Sequence, residues 1–375
     1  MDNKKRNIGL DIVRTVAIVF VLLHHWVPQL KKSMPDQIAY FNFLGFYGVE
    51  IFFVLSGFLI GNILVKTYNT EPAFNFGVIK KFWIRRWLRT LPLYYLIVFI
   101  NLLLLQKALP WQTIARYFVF LQFPFRFSFA FFPESWSLCI EEWFYLTFPI
   151  CLFVFSMVLG KKVSKRKTVL IAVLSFIAVV LLARCLQVYR SNPIWNQGIT
   201  KTTFFRLDAI AFGVLGALLY NRSKELWHKY KNIALTGGIL LLAASFFVFI
   251  KNIAINYYYQ TGDASFFAKT FFYMLVNGGV LLALPFFYYV NIQNNLIRSV
   301  ILFTSKISYS LYLTNLIVAT QLTKYYPGTG IKHALIYLVV FLGLTYLFST
   351  ITYYLVEVKF LNLRDRFWKD SNKAI

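Results

Sequence analysis

The sequence predicts an all-α, polytopic membrane protein with about ten transmembrane helices and both termini in the cytoplasm. Three observations carry that expectation. Of 375 residues, 59% are hydrophobic and 14% charged, a balance from which the surface of a soluble enzyme could not be made. The charges are clumped, leaving apolar stretches near the roughly 20 residues that a spanning helix needs. The 39 Lys and Arg outnumber the 14 Asp and Glu, and they fall unevenly between alternate loops. This composition excludes a disordered chain, a fibrous repeat and a small disulfide scaffold.

Ten apolar runs lie near 9–27, 45–65, 89–109, 138–159, 168–188, 204–220, 232–250, 270–290, 305–322 and 333–357. The first follows Lys4, Lys5 and Arg6, as a signal peptide would. It contains Arg14 and His25, however, and no small-residue cleavage site follows it, so it reads as an uncleaved span. With the N-terminus cytoplasmic, 25 of the 39 basic residues fall in cytoplasmic segments and 11 on the opposite side, Lys107 at the outer end of the third run included. The other three, Arg14, Arg184 and Arg206, lie in or at the edges of spans. The net charge of +25 is therefore positive-inside charge facing a lipid bilayer, with no nucleic-acid partner implied. No internal repeat and no matched pair of broken helices is evident, which argues against an inverted-repeat transporter. One transmembrane domain is expected over 1–358, with a basic cytoplasmic tail at 359–375. Cys139, Cys151 and Cys185 all lie in apolar stretches and are odd in number. They read as packed thiols, with no disulfide and no metal.

Ionisable residues inside spans carry the functional signal, because each is costly there. Arg14 and His25 are eleven residues apart, about 1100° of helix rotation and within roughly 20° of whole turns, so they share a face. The rise separates them by roughly 16 Å, with Arg14 toward the cytoplasm and His25 near the outer end. Arg14 serves equally well as a snorkelling anchor. His24 is expected to point elsewhere. Glu50, in the second span, enters at about the depth of His25, where a carboxylate would hold the imidazole ring and raise its basicity. Ser56-Gly57 in the same span reads as a place of close helix packing. Glu141 and Glu142 lie among aromatics one turn into the fourth span, after Trp136 and Ser137. The two carboxylates cannot both stay charged in lipid without a partner. Arg206 and Asp208 open the sixth span, where pairing of Arg206 with one of these acids is as good an account as chemistry. Lys81, Arg85 and Arg89 form one helix stripe at the start of the third span, with Arg86 beside them. That stripe suits lipid phosphates or, more sharply, the phosphates of a ligand.

In order along the chain, these motifs resemble the acyltransferase 3 family of membrane acyltransferases. The features are Arg14 with His25, the segment G-V-E-I-F-F-V-L-S-G-F-L-I at 48–60, R-R-W-L-R at 85–89 and W-S-L-C-I-E-E-W-F-Y at 136–145. Weaker ones are R-L-D at 206–208, S-Y-S-L-Y-L at 308–313 and Y-Y-L-V-E at 353–357. The resemblance implies ten spans and transfer of an acyl group from a coenzyme A thioester, most often to a glycan hydroxyl and less often to a small molecule. It makes Arg14 and His25 the defining pair, Arg85, Arg86 and Arg89 the donor-binding motif, and Glu141 and Glu142 the acidic pair. Many members have a histidine after the S-L-Y-L segment where this chain has Asn315, which cannot act as a base. Some members carry a fused extracellular hydrolase-like domain, and the stand-alone form is expected here.

The expected activity is O-acylation at a multi-pass bacterial plasma membrane, with acetyl ahead of longer chains and acyl-CoA as co-substrate rather than a resident cofactor. His25 would be the general base, oriented by Glu50, Glu141 or Glu142, with Arg14 along the donor's path. Trp136, Ser137, Arg206, Asp208 and Asn315 would meet the acceptor. The competing expectation is a carrier or flippase for a glycan or lipid-linked sugar, which would need its polar residues near the midplane.

Overall fold

The computed structural model describes residues 6–30, 41, 43–104, 109–125, 131–254 and 264–371. Lys4, Lys5 and the last residues of the basic tail lie outside them. In chain order the helices are α1 (Ile8–Trp26), α2 (Phe43–Thr70), α3 (Phe76–Leu104), α4 (Trp111–Phe118), α5 (Ser135–Leu159), α6 (Lys165–Ser191), α7 (Asp208–Arg222) and α8 (Lys224–Lys229). They continue with α9 (Lys231–Phe249), α10 (Phe266–Thr270), α11 (Phe272–Tyr288), α12 (Asn295–Lys306), α13 (Ser308–Tyr325), α14 (Ile331–Thr352) and α15 (Val358–Ser371). No strand occurs among the described residues. The chain is an all-α polytopic membrane protein.

Each of the ten apolar runs coincides with a helix, but not all are full crossings. Seven helical segments are long and apolar enough to span a membrane, and the α12–α13 pair, bent by 72°, makes an eighth if it is one span. The apolar helix α11 has 17 residues and α7 has 15. The α7 run begins late because residues ahead of it are held as a loop: the Thr203 N–H and hydroxyl both donate to the Phe123 carbonyl at 2.9 Å. Leu103, Val158, Val179, Ile233, Val339 and Leu347 are each more than half exposed, as a lipid-facing surface requires.

Two boundaries differ from the expected ones. Helix α3 begins at Phe76, ahead of the apolar run that starts near 89, and the arginine stripe is part of the helix, as its spacing indicated. Basic side chains do not end a helix whose aromatics have somewhere to pack. Trp83 stacks on Trp87 at 6.0 Å, and its indole N–H donates to the Tyr145 carbonyl of α5 at 2.9 Å. The tail is also helical: a π-helical turn (Tyr353–Glu357) links α14 to α15, which packs on α3 and buries Leu361.

Helix α2 is central, with α1 on one side and α7 on the other. Its approach to α7 depends on two glycines. A Cβ on Gly57 would lie 1.9 Å from the Ile210 carbonyl oxygen, and one on Gly213 would lie 2.1 Å from that of Val54. Gly57 is thus the site of close packing that the sequence indicated.

Candidate active site

Three cavities lie within the bundle, and neighbouring ones share lining residues. The first, about 230 Å³, is lined by the arginine-rich start of α3, including Lys81, Arg85, Arg86 and Arg89, together with Arg364 of α15. The second, about 390 Å³, is the middle one; it shares Ile63, Arg86 and Arg89 with the first and adds Arg14, Ser56 and Glu141. The third, about 310 Å³, lies at the His25 end and shares Val49 and Tyr312 with the middle one. The sequence placed Arg14 and His25 on one helix face about three turns apart. Helix α1 puts Arg14 on the middle cavity and His25 on the third, so the two residues line neighbouring cavities.

In the middle cavity, α3 and α5 bring opposite charges together. The Thr90 hydroxyl donates to Glu142 Oε1 at 2.8 Å, while Glu142 Oε2 has no hydrogen-bond partner. The Arg86 guanidinium lies 4.4 Å from the centroid of the Tyr145 ring, and the Tyr145 hydroxyl shares a hydrogen bond with Ser56. Glu141 lines this cavity and Glu142 does not, so adjacent carboxylates on one helix serve different surroundings. Arg14 lies 3.9 Å from Asp11, whose carboxylate also takes hydrogen bonds from Arg6 and Ser305. Asp11 is an intramembrane acid that the sequence reading passed over, although it stands only three residues before Arg14.

The boundary between the middle and third cavities is polar. The Ser137 and Tyr312 hydroxyls are 2.6 Å apart, and Tyr312 also donates to the Glu134 carbonyl at 3.1 Å. Trp136 and Asn315 line the third cavity. The Asn315 amide donates to the Leu311 and Tyr312 carbonyls of its own helix, at 2.8 and 2.7 Å, which leaves its carbonyl oxygen without a partner. His24 lines the same cavity as His25, with the two rings edge to face at 5.4 Å. The expectation that His24 points elsewhere is corrected here. The cavity wraps the end of α1 from Gly45 on α2 to Asn315 on α13, so a 100° offset does not remove either ring from it.

Glu50, Arg206 and Asp208 are placed differently from expectation. None of them lines any of the three cavities. Glu50 and Arg206, both fully buried, form an ion pair, and the Arg206 guanidinium lies 3.9 Å from the centroid of the Tyr273 ring. Asp208 holds Arg184 through two hydrogen bonds of 3.0 and 2.8 Å, and Arg184 also donates to the Phe205 carbonyl. The sequence offered pairing and chemistry as equal accounts of Arg206; the structure shows the pairing. Glu50 spends its charge on Arg206, which stands just before α7, where α7 packs against α2 along the Gly57–Gly213 contact.

Sequence reading also missed Glu134, Lys201 and Trp195, which line the third cavity, and Arg364, which lines the first. Glu134 stands two residues before Trp136 and could have been noticed as a third acid beside that motif. Trp195 and Lys201 sit around a π-helical turn (Trp195–Thr200) between spans, where no sequence period marks them. Among the described residues no group of three or more His, Cys, Asp or Glu is placed to hold a metal ion.

The comparisons with known proteins follow this geometry. The family described as "Acyltransferase domain" matches residues 7–354. A Staphylococcus aureus protein named "Putative O-acetyltransferase" is 25% identical over 94% of this chain and 57% of its own length. "Peptidoglycan O-acetyltransferase OatA" of Listeria monocytogenes is 32% identical over 39% of this chain and 24% of its own length. "Putative peptidoglycan O-acetyltransferase YrhL" of Bacillus subtilis is 30% identical over 55% of this chain and 32% of its own length. The chain therefore spans little more than half the length of the Staphylococcus relative. No solved structure matches it. Its long apolar helices and bacterial relatives make it a multi-pass bacterial membrane protein. With the match running from before α1 to the end of α14, the chain belongs to the acyltransferase family that this domain defines.

Proposed function

We propose that the chain is a membrane O-acyltransferase that moves an acyl group, acetyl first, from coenzyme A on the cytoplasmic side to a hydroxyl of a glycan on the outer side. The observation that carries this reading is the series of three cavities that share lining residues, with arginines at one end and histidines at the other. A carrier would gather its polar residues at a midplane site open to each side in turn. Here the cationic and imidazole ends are separate, with the middle cavity between them.

In this reading the donor's phosphates sit on Arg85, Arg86 and Arg89, with Lys81 and Arg364 adding charge around the same cavity. Guanidinium forks match phosphate oxygens and hold them against a low-dielectric wall. The pantetheine arm lies in the middle cavity past Arg14, Ser56 and Glu141 and brings the thioester to the boundary at Tyr312. The acceptor oxygen attacks the thioester carbonyl carbon while His25 takes its proton. The carbon–sulfur bond then breaks and the proton passes to the departing thiolate. His25 works without Glu50, whose carboxylate is held by Arg206.

Purified protein given radiolabelled acetyl-CoA and a glycan acceptor should transfer label. His25→Ala should abolish transfer at unchanged CoA affinity, and His24→Ala should retain part of it. Equal turnover in the two variants, measured on equal amounts of folded protein, removes His25 from the mechanism.

A further inference from the structure

A fourth cavity lies apart from the candidate active site and shares no lining residue with its three cavities. At about 490 Å³ it is larger than any of them. It sits between two tightly packed helix pairs. In one pair a Cβ on Gly48 of α2 would lie 2.8 Å from the Ala17 carbonyl oxygen of α1. In the other a Cβ on Gly238 of α9 would lie 2.8 Å from the Gly279 carbonyl oxygen of α11. The pairs touch at two places. Near the start of α1, a Cβ on Gly9 would lie 1.6 Å from the Phe287 carbonyl oxygen of α11. At the opposite end, α2 meets α9 through the Phe43 and Phe246 rings, 5.1 Å apart, and a 2.7 Å hydrogen bond between the Tyr47 and Ser245 hydroxyls. The cavity is the recess left between those contacts.

Its chemistry is uniform. Tyr47 is the one lining side chain with a polar group, and its hydroxyl is engaged by Ser245. Water in the recess would find no partner, and apolar cavities of this kind stay dry. The lip is apolar and open: Val16 of α1 is 37% exposed and Ile239 of α9 56%. Helix α1 lines the recess from Val13 to Phe20, the middle of a helix that runs from Ile8 to Trp26, so the opening faces the hydrocarbon layer. An empty recess forfeits the dispersion contacts of its walls, and in that layer hydrocarbon restores them. Shape selects the form of the occupant. Val13 to Phe20 is a rise of about 10 Å, and the recess is closed above and below. A partner helix is about 10–12 Å across and would run past both ends, so it does not enter. A single hydrocarbon chain turned in sideways does.

We propose that this recess binds one acyl chain of a bilayer phospholipid, inserted between α1 and α9, and that the chain completes the packing of the α9–α11 pair against α1 and α2. The tail is what is recognised, and the headgroup stays in its own leaflet. The segment that contains α9 is the least buried of the seven spanning segments, so a chain wedged beside it adds contacts where the protein supplies few. The site is independent of the acyltransferase reading.

The test uses the full-length protein in detergent with dioleoyl-phosphatidylglycerol as the probe. Native mass spectrometry counts the lipid retained per chain, and thermal unfolding reads its effect. The wild type should keep one dioleoyl lipid through detergent exchange and unfold at a higher temperature with it than without. Dihexanoyl-phosphatidylglycerol, with the same headgroup and tails too short to reach in, should do neither. Ala243→Phe on α9 and Ala283→Phe on α11 put a ring into the recess, and each should lower retention at least about fivefold and remove the lipid-dependent rise. Ala243→Leu, a smaller filling, should lose less and carries the test if the phenylalanine variants fold poorly. Retention in the filled variants equal to the wild type, or retention of the dihexanoyl lipid as firm as the dioleoyl one, overturns the proposal. So does a wild type that keeps no lipid and unfolds at one temperature with or without it. A wild-type dimer that the filled variants lose would also overturn it, by giving the recess to a side chain of a second copy.

Discussion

Breaking the Glu50–Arg206 pair separates a structural carboxylate from a catalytic one. Both side chains are fully buried, and they are joined by one hydrogen bond. Glu50 Oε2 and Arg206 Nε and Nη1 have no further partners. Glu50→Gln therefore leaves a guanidinium charge inside the bundle with chiefly the Tyr273 face for compensation. Removing one member of a buried pair costs about 3–5 kcal/mol, whereas replacing both by apolar residues of similar volume is often neutral. Glu50→Gln should thus lower the thermal midpoint in detergent markedly, and Glu50→Leu with Arg206→Met should recover most of the loss. Turnover per folded molecule should change little in the double variant, since neither residue lines the path. The assay is thermal unfolding followed by fluorescence, alongside acetyl transfer at several pH values on the folded fraction. An unchanged midpoint in Glu50→Gln, with the pH limb of transfer moved toward acid, would refute this reasoning and make Glu50 the partner of the His25 imidazole.

Other variants probe the remaining parts. Gly57→Ala places a methyl 1.9 Å from the Ile210 carbonyl oxygen, so α2 and α7 must part; a loss of about 1–3 kcal/mol or more should follow, read as a lowered unfolding midpoint. Arg89→Ala should weaken coenzyme A binding by about ten- to a hundredfold in calorimetry, from a charge-assisted contact of roughly 1.5–3 kcal/mol, and Arg89→Lys should restore part of it. In a background without native cysteines, Trp111→Cys should react with an impermeant thiol reagent added outside intact cells and Lys165→Cys should not. Trp111 serves as the outer reporter because it is exposed, whereas Gln122 is buried and donates to Ser135 at 3.1 Å.

The parts of this fold that follow a short-range period were legible in the sequence. The apolar runs, the shared face of Arg14 and His25 and the arginine stripe all depend on about 100° per residue within one helix. Pairings between helices have no such signature. Nothing in the spacing joins Glu50 to Arg206 or Asp208 to Arg184; those pairs arise from how α2, α6 and α7 pack. Depth alone placed Glu50 near His25, and depth does not say which neighbour a carboxylate faces. The helical tail was illegible for a related reason. Its charge density suggested a free tail, while Leu361 supplies the packing that makes it a helix.

The same distinction sorts several of the buried charges. A charge can persist inside a membrane bundle if a neighbouring helix neutralises it or if it faces a space that water or a ligand fills. Glu50, Arg184, Arg206 and Asp208 take the first course, and all four are fully buried in pairs. Arg14, Arg86, Arg89, Glu134 and Glu141 take the second, since each lines a cavity. Sequence shows that a charge is inside, and only the packing shows which course it takes. The cavity-lining charges also form a gradient of sign and type, with arginines at one end, arginine with glutamate in the middle, and histidine with an unpaired carboxylate at the other. A path ordered in that way suits a long ligand with an anionic head and a neutral reactive tip, met at its far end by a second ligand that offers hydroxyls.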